Sequence, residues 1–232
     1  LLENEIPIQT AAFLTLLAAK GETVDEFVGL IQSVKKHAVR VNIDYPVVDI
    51  VGTGGDLSNS INISTASALL TASCGVPVVK HGNRAASSKC GSADVLEVLG
   101  YQINYDAQQI IDSVGKTNFA FCFAPRFHPV IAKVREIRKN LGVPTIFNLL
   151  SPLCNPANAE HIVLGVYDPN RVELVAKALM KLGTKKSIVF SGYGLDELSC
   201  LGPITAYIVT DKIEEIVIDP ERLGLRKCTM AD

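Results

Sequence analysis

Three groups of residues carry side-chain or backbone chemistry worth reading first. The run Val47-Val48-Asp49-Ile50-Val51 enters Gly52-Thr53-Gly54-Gly55-Asp56, and after a short spacer Asn62-Ile63-Ser64-Thr65 opens a helical stretch. Glycines at 52, 54 and 55 allow left-handed backbone and leave amides bare, the makings of an anion nest. Ser64 and Thr65 add hydroxyls at a helix start, where free N–H groups and the helix dipole favour phosphate. No G-x-x-x-x-G-K-[ST] is present, and Leu57 stands where a dinucleotide fingerprint needs its third glycine. An ordinary glycine-rich turn before a capped helix is the alternative reading of this loop.

The second group is Lys80-His81-Gly82-Asn83-Arg84, at the end of the apolar run Val76-Pro77-Val78-Val79. Several donors around one glycine suit a second anionic or carboxylate group, although a lone histidine is more often a hydrogen-bonded structural residue. The third group is Gly194-Leu195-Asp196-Glu197. Adjacent carboxylates repel unless a cation or base is near, which makes Asp196 and Glu197 candidate Mg²⁺ ligands through water and substrate phosphate. A solvated helix start is the alternative there.

These groups need a frame, and the pattern supplies one. The segment from Ile6 to Lys20 is rich in helix formers and stops at Gly21; Thr23 and Glu26 then form a capping box for a second helix through Phe27, Leu30, Ile31 and Val34. Two helices cannot enclose a core, so this pair must dock on other elements. Beyond Tyr45-Pro46 short apolar strands alternate with helices: strands are expected at 47–51, 76–80, 119–124, 144–149, 162–166 and 187–190, with helices at 64–73, 93–99, 107–114, 129–141 and 171–182. That alternation predicts an α/β fold with a parallel sheet, whose ligands gather at the carboxyl ends of the strands. Residues 204–210 and 213–218 read as two further β segments joined at Thr210-Asp211-Lys212.

Composition narrows the function classes. The chain has 232 residues, 22 Lys+Arg against 24 Asp+Glu, and 48% hydrophobic residues. A net charge of -2 offers no global attraction for nucleic acid or anionic lipid, so an anionic ligand must be held locally. No run of about 18 apolar residues occurs, so the apolar surplus belongs to an interior. Six cysteines are scattered without C-x-x-C or histidine spacing, which argues for reduced thiols in a cytoplasmic protein rather than zinc or disulfides. The start lacks both a signal-peptide pattern and an initiator methionine, so a piece of a longer chain is expected.

Taken together with Ser87-Ser88-Lys89, Gly91-Ser92-Ala93-Asp94 and Thr145-Ile146-Phe147-Asn148-Leu149-Leu150, the three groups occur in the order found in the anthranilate phosphoribosyltransferase family, which the chain resembles over nearly its whole length. The resemblance implies a parallel-sheet large domain with a small all-helical domain, of nucleoside phosphorylase/phosphoribosyltransferase type. The helical domain would comprise residues 1–44, joined in space by 128–141, and the α/β domain residues 45–232. It implies transfer of phosphoribosyl from phosphoribosyl pyrophosphate to the amine of anthranilate in tryptophan biosynthesis, with release of pyrophosphate. Gly52, Thr53, Gly55, Asp56, Asn62, Ser64, Thr65, Lys80, Ser87 and Ser88 would hold the donor. Anthranilate would lie near Gly52, His81, Asn83, His128 and Arg138. Asp196 and Glu197 would bind one Mg²⁺ and Ser64 would help bind a second. A homodimer through the helical domain is implied, with no nucleic acid and no membrane, and no residue is assigned as nucleophile, acid or base.

The pattern departs from the family at Ser151 and Cys154, where Gly and Thr are usual, and at Ser191-Gly192-Tyr193, where His-Gly is common. Family members also extend beyond both ends of this sequence, so an α/β domain incomplete at its carboxyl side is expected. A pyrimidine-nucleoside phosphorylase and a catalytically silent nucleic-acid-binding relative are the competing readings.

Overall fold

A computed structural model of the chain describes residues 6–58, 60–85 and 89–231. Helices α1 (Pro7–Lys20) and α2 (Val24–Lys36) form the expected pair, and α2 starts with the Thr23/Glu26 capping box in place. Strand β1 (Val48–Gly52) leads to α3 (Ile63–Ser73), β2 (Val78–Gly82) to α4 (Ser92–Val98) and α5 (Ala107–Thr117), and β3 (Phe119–Phe123) to α6 (Ala124–Phe127) and α7 (Pro129–Leu141). After α8 (Phe147–Leu150) come β4 (His161–Gly165), α9 (Val172–Leu182), β5 (Lys186–Phe190) and the hairpin β6 (Ile204–Val209) and β7 (Ile213–Ile218).

These strands form one seven-stranded sheet in the order β3-β2-β1-β4-β5-β6-β7. β1 to β5 are parallel, and β6 and β7 run antiparallel at one edge. The order reverses at β1: the chain moves outward through β2 and β3, then returns to place β4 on the other side of β1. That switch opens a crevice above Gly52 and Gly165, which are paired at the carboxyl ends of β1 and β4.

Strand alternation sorts the interior into two layers. Ile50, Val78, Phe119 and Phe121 face α3 and α4 with Ala68, Ala72 and Leu96. Val79, Ala120, Cys122, Ile162, Leu164 and Val189 face the other way and pack with Ile110 and Val114 of α5, Val175 and Leu179 of α9, and Phe27 and Ile31 of α2. α1 packs against α7, whereas α2 lies on α9 and touches α8, so the two N-terminal helices take their cover from different elements.

One expected strand is absent. Residues 144–149 form a turn and α8, followed by a 3-10 turn at Ser151–Leu153. The Asn148 side chain accepts from the Thr145 amide at 3.2 Å while the Asn148 amide donates to the Thr145 carbonyl at 2.9 Å, so this segment closes its polar groups locally. Ile146, Phe147, Leu149 and Leu150 are buried against helices, which gives the run the hydrophobicity of a strand without a place in the sheet.

Buried Asn155 ties β1 to β2. Its Nδ2 donates to Asp49 Oδ2 at 2.8 Å and to the Val79 carbonyl at 2.7 Å, and its Oδ1 accepts from the Ala157 amide at 2.9 Å. Asn155→Ala leaves these partners buried and unsatisfied, so urea unfolding is expected to show a loss of about 3 kcal/mol, against less than about 1 kcal/mol for an exposed change such as Asn140→Ala.

Candidate active site

The glycine loop leaves β1 directly over the β1/β4 crevice. Gly54 and Gly55 have φ of 70° and 87°, the left-handed backbone that bare amides in a nest require. Leu57 shares that region at φ 55°, although leucine rarely adopts it, so the loop keeps its left-handed turn without a third glycine. The Thr53 hydroxyl accepts from the Tyr167 amide at 3.2 Å and donates to the Gly54 carbonyl at 3.2 Å, anchoring the loop to the end of β4.

Asp196 and Glu197 descend onto this loop from the segment after β5. Asp196 Oδ2 accepts from the Gly54 amide at 2.7 Å, and Glu197 Oε1 accepts from the Ser64 amide in the first turn of α3 at 3.2 Å. The fit is close enough that a Cβ on Gly52 would overlap the Asp196 carboxylate and one on Gly165 would overlap the Asp196 backbone carbonyl. The amides read from sequence as a phosphate cradle and the carboxylates read as metal ligands therefore meet at one point. Burial, then the charge of Asp196, pushes Glu197 up to about 7; burial also raises Asp196, with nearby Asp56 adding repulsion.

A divalent cation would offset that repulsion, so these side chains fit Mg²⁺. Among the described residues no three His, Cys, Asp or Glu side chains converge on one point, so the protein would supply two carboxylates and the rest of the shell would come from substrate oxygens and water.

Alternation along β2 divides the second group between two faces. Lys80 is buried and extends toward α3, where its Nζ donates to the Ile50 carbonyl at 2.6 Å and to Ser64 Oγ at 3.3 Å. Burial lowers its pKa, while Asp49, Glu197 and Asp196 oppose the shift. His81 points to the opposite face, where its Nδ1 meets the Ser151 carbonyl at 3.2 Å and its ring stands edge-on to His128 at 4.9 Å between centroids. Burial holds His81 at about 3 and His128 at about 4, so both are neutral imidazoles at pH 7. His81 Nε2 is buried without a protein hydrogen bond, an orphan polar atom beside the cleft.

A single cleft of about 920 Å³ joins these surfaces. Gly52, Thr53, Gly55, Asp56, Asn62, Ser64 and Lys80 line one side with Asp196 and Glu197, and His81, Asn83, His128 and Arg138 line the other. Thr65 is buried and does not reach the cleft, since one residue along α3 turns it away from Ser64. Ser87 and Ser88 lie outside the described residues. On α7, Arg138 is half-buried with its guanidinium 5.2 Å from the Phe147 ring centroid, whereas Lys133, Arg135 and Lys139 are exposed; this singles it out among the cations of its helix. The sequence reading passed over Gly165, Asn155 and Asp49. A glycine closing the apolar run Ile162-Val163-Leu164 was the available signal for the first, and polar residues inside buried runs for the other two.

Comparison with known proteins bears on the same surfaces. The glycosyl transferase family a/b domain matches residues 44–232, and the helical bundle domain of that family matches residues 1–38. The anthranilate phosphoribosyltransferase of Chlamydia caviae is 45% identical over 234 residues, covering 100% of this chain and 68% of the relative. The chain belongs to the anthranilate phosphoribosyltransferase family. A crystal structure of the Thermus thermophilus family member superposes with a TM-score of 0.92 at 39% identity, covering 97% of this chain and 68% of that one. The Saccharomyces cerevisiae member, solved with PRPP and Mg, gives 0.87 at 30% identity, covering 97% and 64%. The chain thus spans about two thirds of the length of the family members it matches.

The depressed histidines predict a pH-dependent stability. His128 takes up its proton near 4 when folded and near 6.5 when unfolded, so its stabilising contribution is complete above 6.5 and is lost as pH falls toward 4. His128→Gln is expected to reduce the loss of unfolding free energy between pH 7 and pH 5 by about 1–2 kcal/mol, read from urea midpoints. An unchanged difference contradicts a neutral buried imidazole.

Proposed function

We propose that this chain transfers the phosphoribosyl group of phosphoribosyl pyrophosphate to the amine of anthranilate, releasing pyrophosphate in a Mg²⁺-dependent reaction. The observation that carries this reading is the meeting of Asp196 and Glu197 with the Gly54 and Ser64 amides, opposite a cleft wall of neutral histidines and one half-buried arginine. The yeast family member's crystals with PRPP and Mg, and with 4-fluoroanthranilate, support it.

In this reading the loop amides and Lys80 hold the donor's phosphate oxygens as charge builds on the leaving pyrophosphate. Mg²⁺ bound by Asp196 and Glu197 would neutralise part of that charge, and two ions per site, the second near Ser64, is the proposed count. The aryl amine is already neutral at pH 7, so no base is needed to prepare it. The Arg138 guanidinium pairs with the anthranilate carboxylate. Neutral His81 and His128 line the aromatic ring's side of the cleft without adding charge, and Asn83 and Gly52 complete its edge. Positioning amine and ribose C1 at near-attack distance across the cleft supplies the remaining acceleration.

We further propose the division into a helical domain of residues 1–44 with 128–141 and an α/β domain of 45–232, and a homodimer through the former. The second face of α1 supports the dimer: Ile8, Phe13 and Leu16 are 84%, 42% and 69% exposed. A cytoplasmic setting fits cysteines scattered without C-x-x-C spacing. No helix among the described residues is long and apolar enough to cross a membrane.

Anthranilate fluorescence is expected to fall when phosphoribosyl pyrophosphate and Mg²⁺ are added to the protein. Persistent fluorescence, with a pyrimidine nucleoside and phosphate consumed instead, contradicts the proposal. Arg138→Ala is expected to raise the anthranilate KM about 10-fold or more while moving the donor KM less than about 3-fold. Asp196→Asn with Glu197→Gln is expected to lower kcat by about 10²-fold or more and raise the Mg²⁺ concentration needed for half-maximal rate; unchanged Mg²⁺ dependence removes the metal assignment.

A further inference from the structure

The segment that brings Asn83 and Cys90 to the cleft is closed at its base by a side chain that does not line the cleft. Asp94 stands in the first turn of α4. Its Oδ2 accepts from the Ala85 amide at 2.9 Å and from the Gly91 amide at 2.8 Å, and its Oδ1 accepts from Arg84 Nη1 at 2.9 Å. The exit from β2 and the entry to α4 are thereby joined through one carboxylate, and the Ala93 amide adds a bond to the Asn83 carbonyl at 3.2 Å. Gly91 lies so close to the opposite strand of this clasp that a Cβ there would overlap the Ala85 nitrogen and the Arg84 carbonyl carbon. No residue but glycine fits this approach. The two amide bonds, ahead of the Arg84 charge, hold the Asp94 carboxyl below its ordinary pKa, so it is an anion at pH 7.

The clasp reaches both walls of the cleft. On the donor side, Cys90 precedes Gly91, and its carbonyl accepts from Asn62 Nδ2 at 3.1 Å; Asn62 is thereby committed to this loop and does not cap its own helix. On the acceptor side, the Asn83 side chain accepts from the Arg84 amide at 2.7 Å, which sets its rotamer one residue before the clasp. Both asparagines line the cleft and Asp94 does not.

We propose that Asp94 is a positioning residue for the phosphoribosyl donor, acting through Gly91 and Cys90 on Asn62. This rests on the function proposed above and deepens it. Charge-assisted bonds to two amides are strong enough to set the loop's geometry, and removing residues that hold a ligand-contacting side chain in place commonly costs one order of magnitude or more.

The test is steady-state kinetics on Asp94→Ala, Asp94→Asn and Glu97→Gln. Asp94→Ala is expected to raise the donor KM about 10-fold with kcat within about 3-fold. Asp94→Asn keeps one oxygen for both amides but turns a donor toward Arg84, so it is expected to recover most of the loss, to about 3-fold. Glu97→Gln removes the charge and one bond of the exposed fork between Arg84 and Glu97 and is expected to match the unsubstituted protein. In an Asn62→Ala background, Asp94→Ala is expected to add less than about 3-fold, because both changes remove one linkage. A donor KM within 2-fold for Asp94→Ala overturns the proposal, as does a purely structural pattern in which melting temperature and active fraction fall at constant KM. If Asp94→Ala does not fold, Asp94→Asn decides, and an unchanged donor KM in it overturns the proposal. An unsubstituted protein that neither binds nor turns over the donor overturns the function reading itself; a normal unsubstituted protein with normal variants overturns the clasp alone.

Discussion

One close approach organises this molecule: the Asp196 carboxylate and backbone pressed over Gly52 and Gly165 at the adjoining ends of β1 and β4. No side chain larger than hydrogen fits under it at either glycine. The approach brings an acidic pair from beyond β5 against amides belonging to the β1 loop and α3, elements separated by more than a hundred residues of chain. It is placed where the strand order reverses, the one location in such a sheet where neighbouring loops diverge and leave a crevice. Burial first, and the neighbouring Asp196 charge second, displace Glu197 upward to about 7, so the pair is electrostatically unfavourable as it stands. A polypeptide retains such an arrangement where a cation or a polyanion with its counterion completes it.

A second constraint follows from the two-residue period of β2. Lys80 and His81 are adjacent in sequence but project to opposite faces, one toward α3 and the acidic pair, the other toward the 3-10 turn at Ser151 and His128. In the proposed reaction one strand serves both substrates without mixing their environments: a buried amine among oxygen atoms on one face, neutral imidazoles on the other. A one-residue register slip would exchange them, but β2 is fixed between β1 and β3 and further held by Asn155 through Asp49 and the Val79 carbonyl.

Much of this was legible in the sequence because local rules dominate there. The Thr23/Glu26 box, the switch from helical to strand periodicity after Tyr45-Pro46 and the stripe Val130, Val134 on α7 all state their structure within a few residues. The glycine loop announced its left-handed turn by composition alone. Residues 144–149 misled because a buried helix and a buried strand are equally apolar, and only the Thr145/Asn148 exchange of hydrogen bonds separates them. Gly165 and Asp94 were silent for a different reason. Gly165 matters because the Asp196 carbonyl approaches it from across the fold, which no local spacing records; the Asp94 bond to the Gly91 amide is local, but the one to the Ala85 amide depends on how the chain returns between β2 and α4. Arg138 could be placed on its helix from sequence but separated from Arg135 and Lys139 only by its burial over Phe147.

The central claim is that the amides of the β1 loop and the α3 start receive the donor's phosphates as the acidic pair turns to its cation. Backbone amide chemical shifts report this directly, residue by residue, in an ¹⁵N-labelled sample titrated with phosphoribosyl pyrophosphate and Mg²⁺. The account predicts that the Gly54 and Ser64 signals move farthest and saturate together. Saturable shifts confined to another part of the sheet, with those two signals stationary, would contradict it.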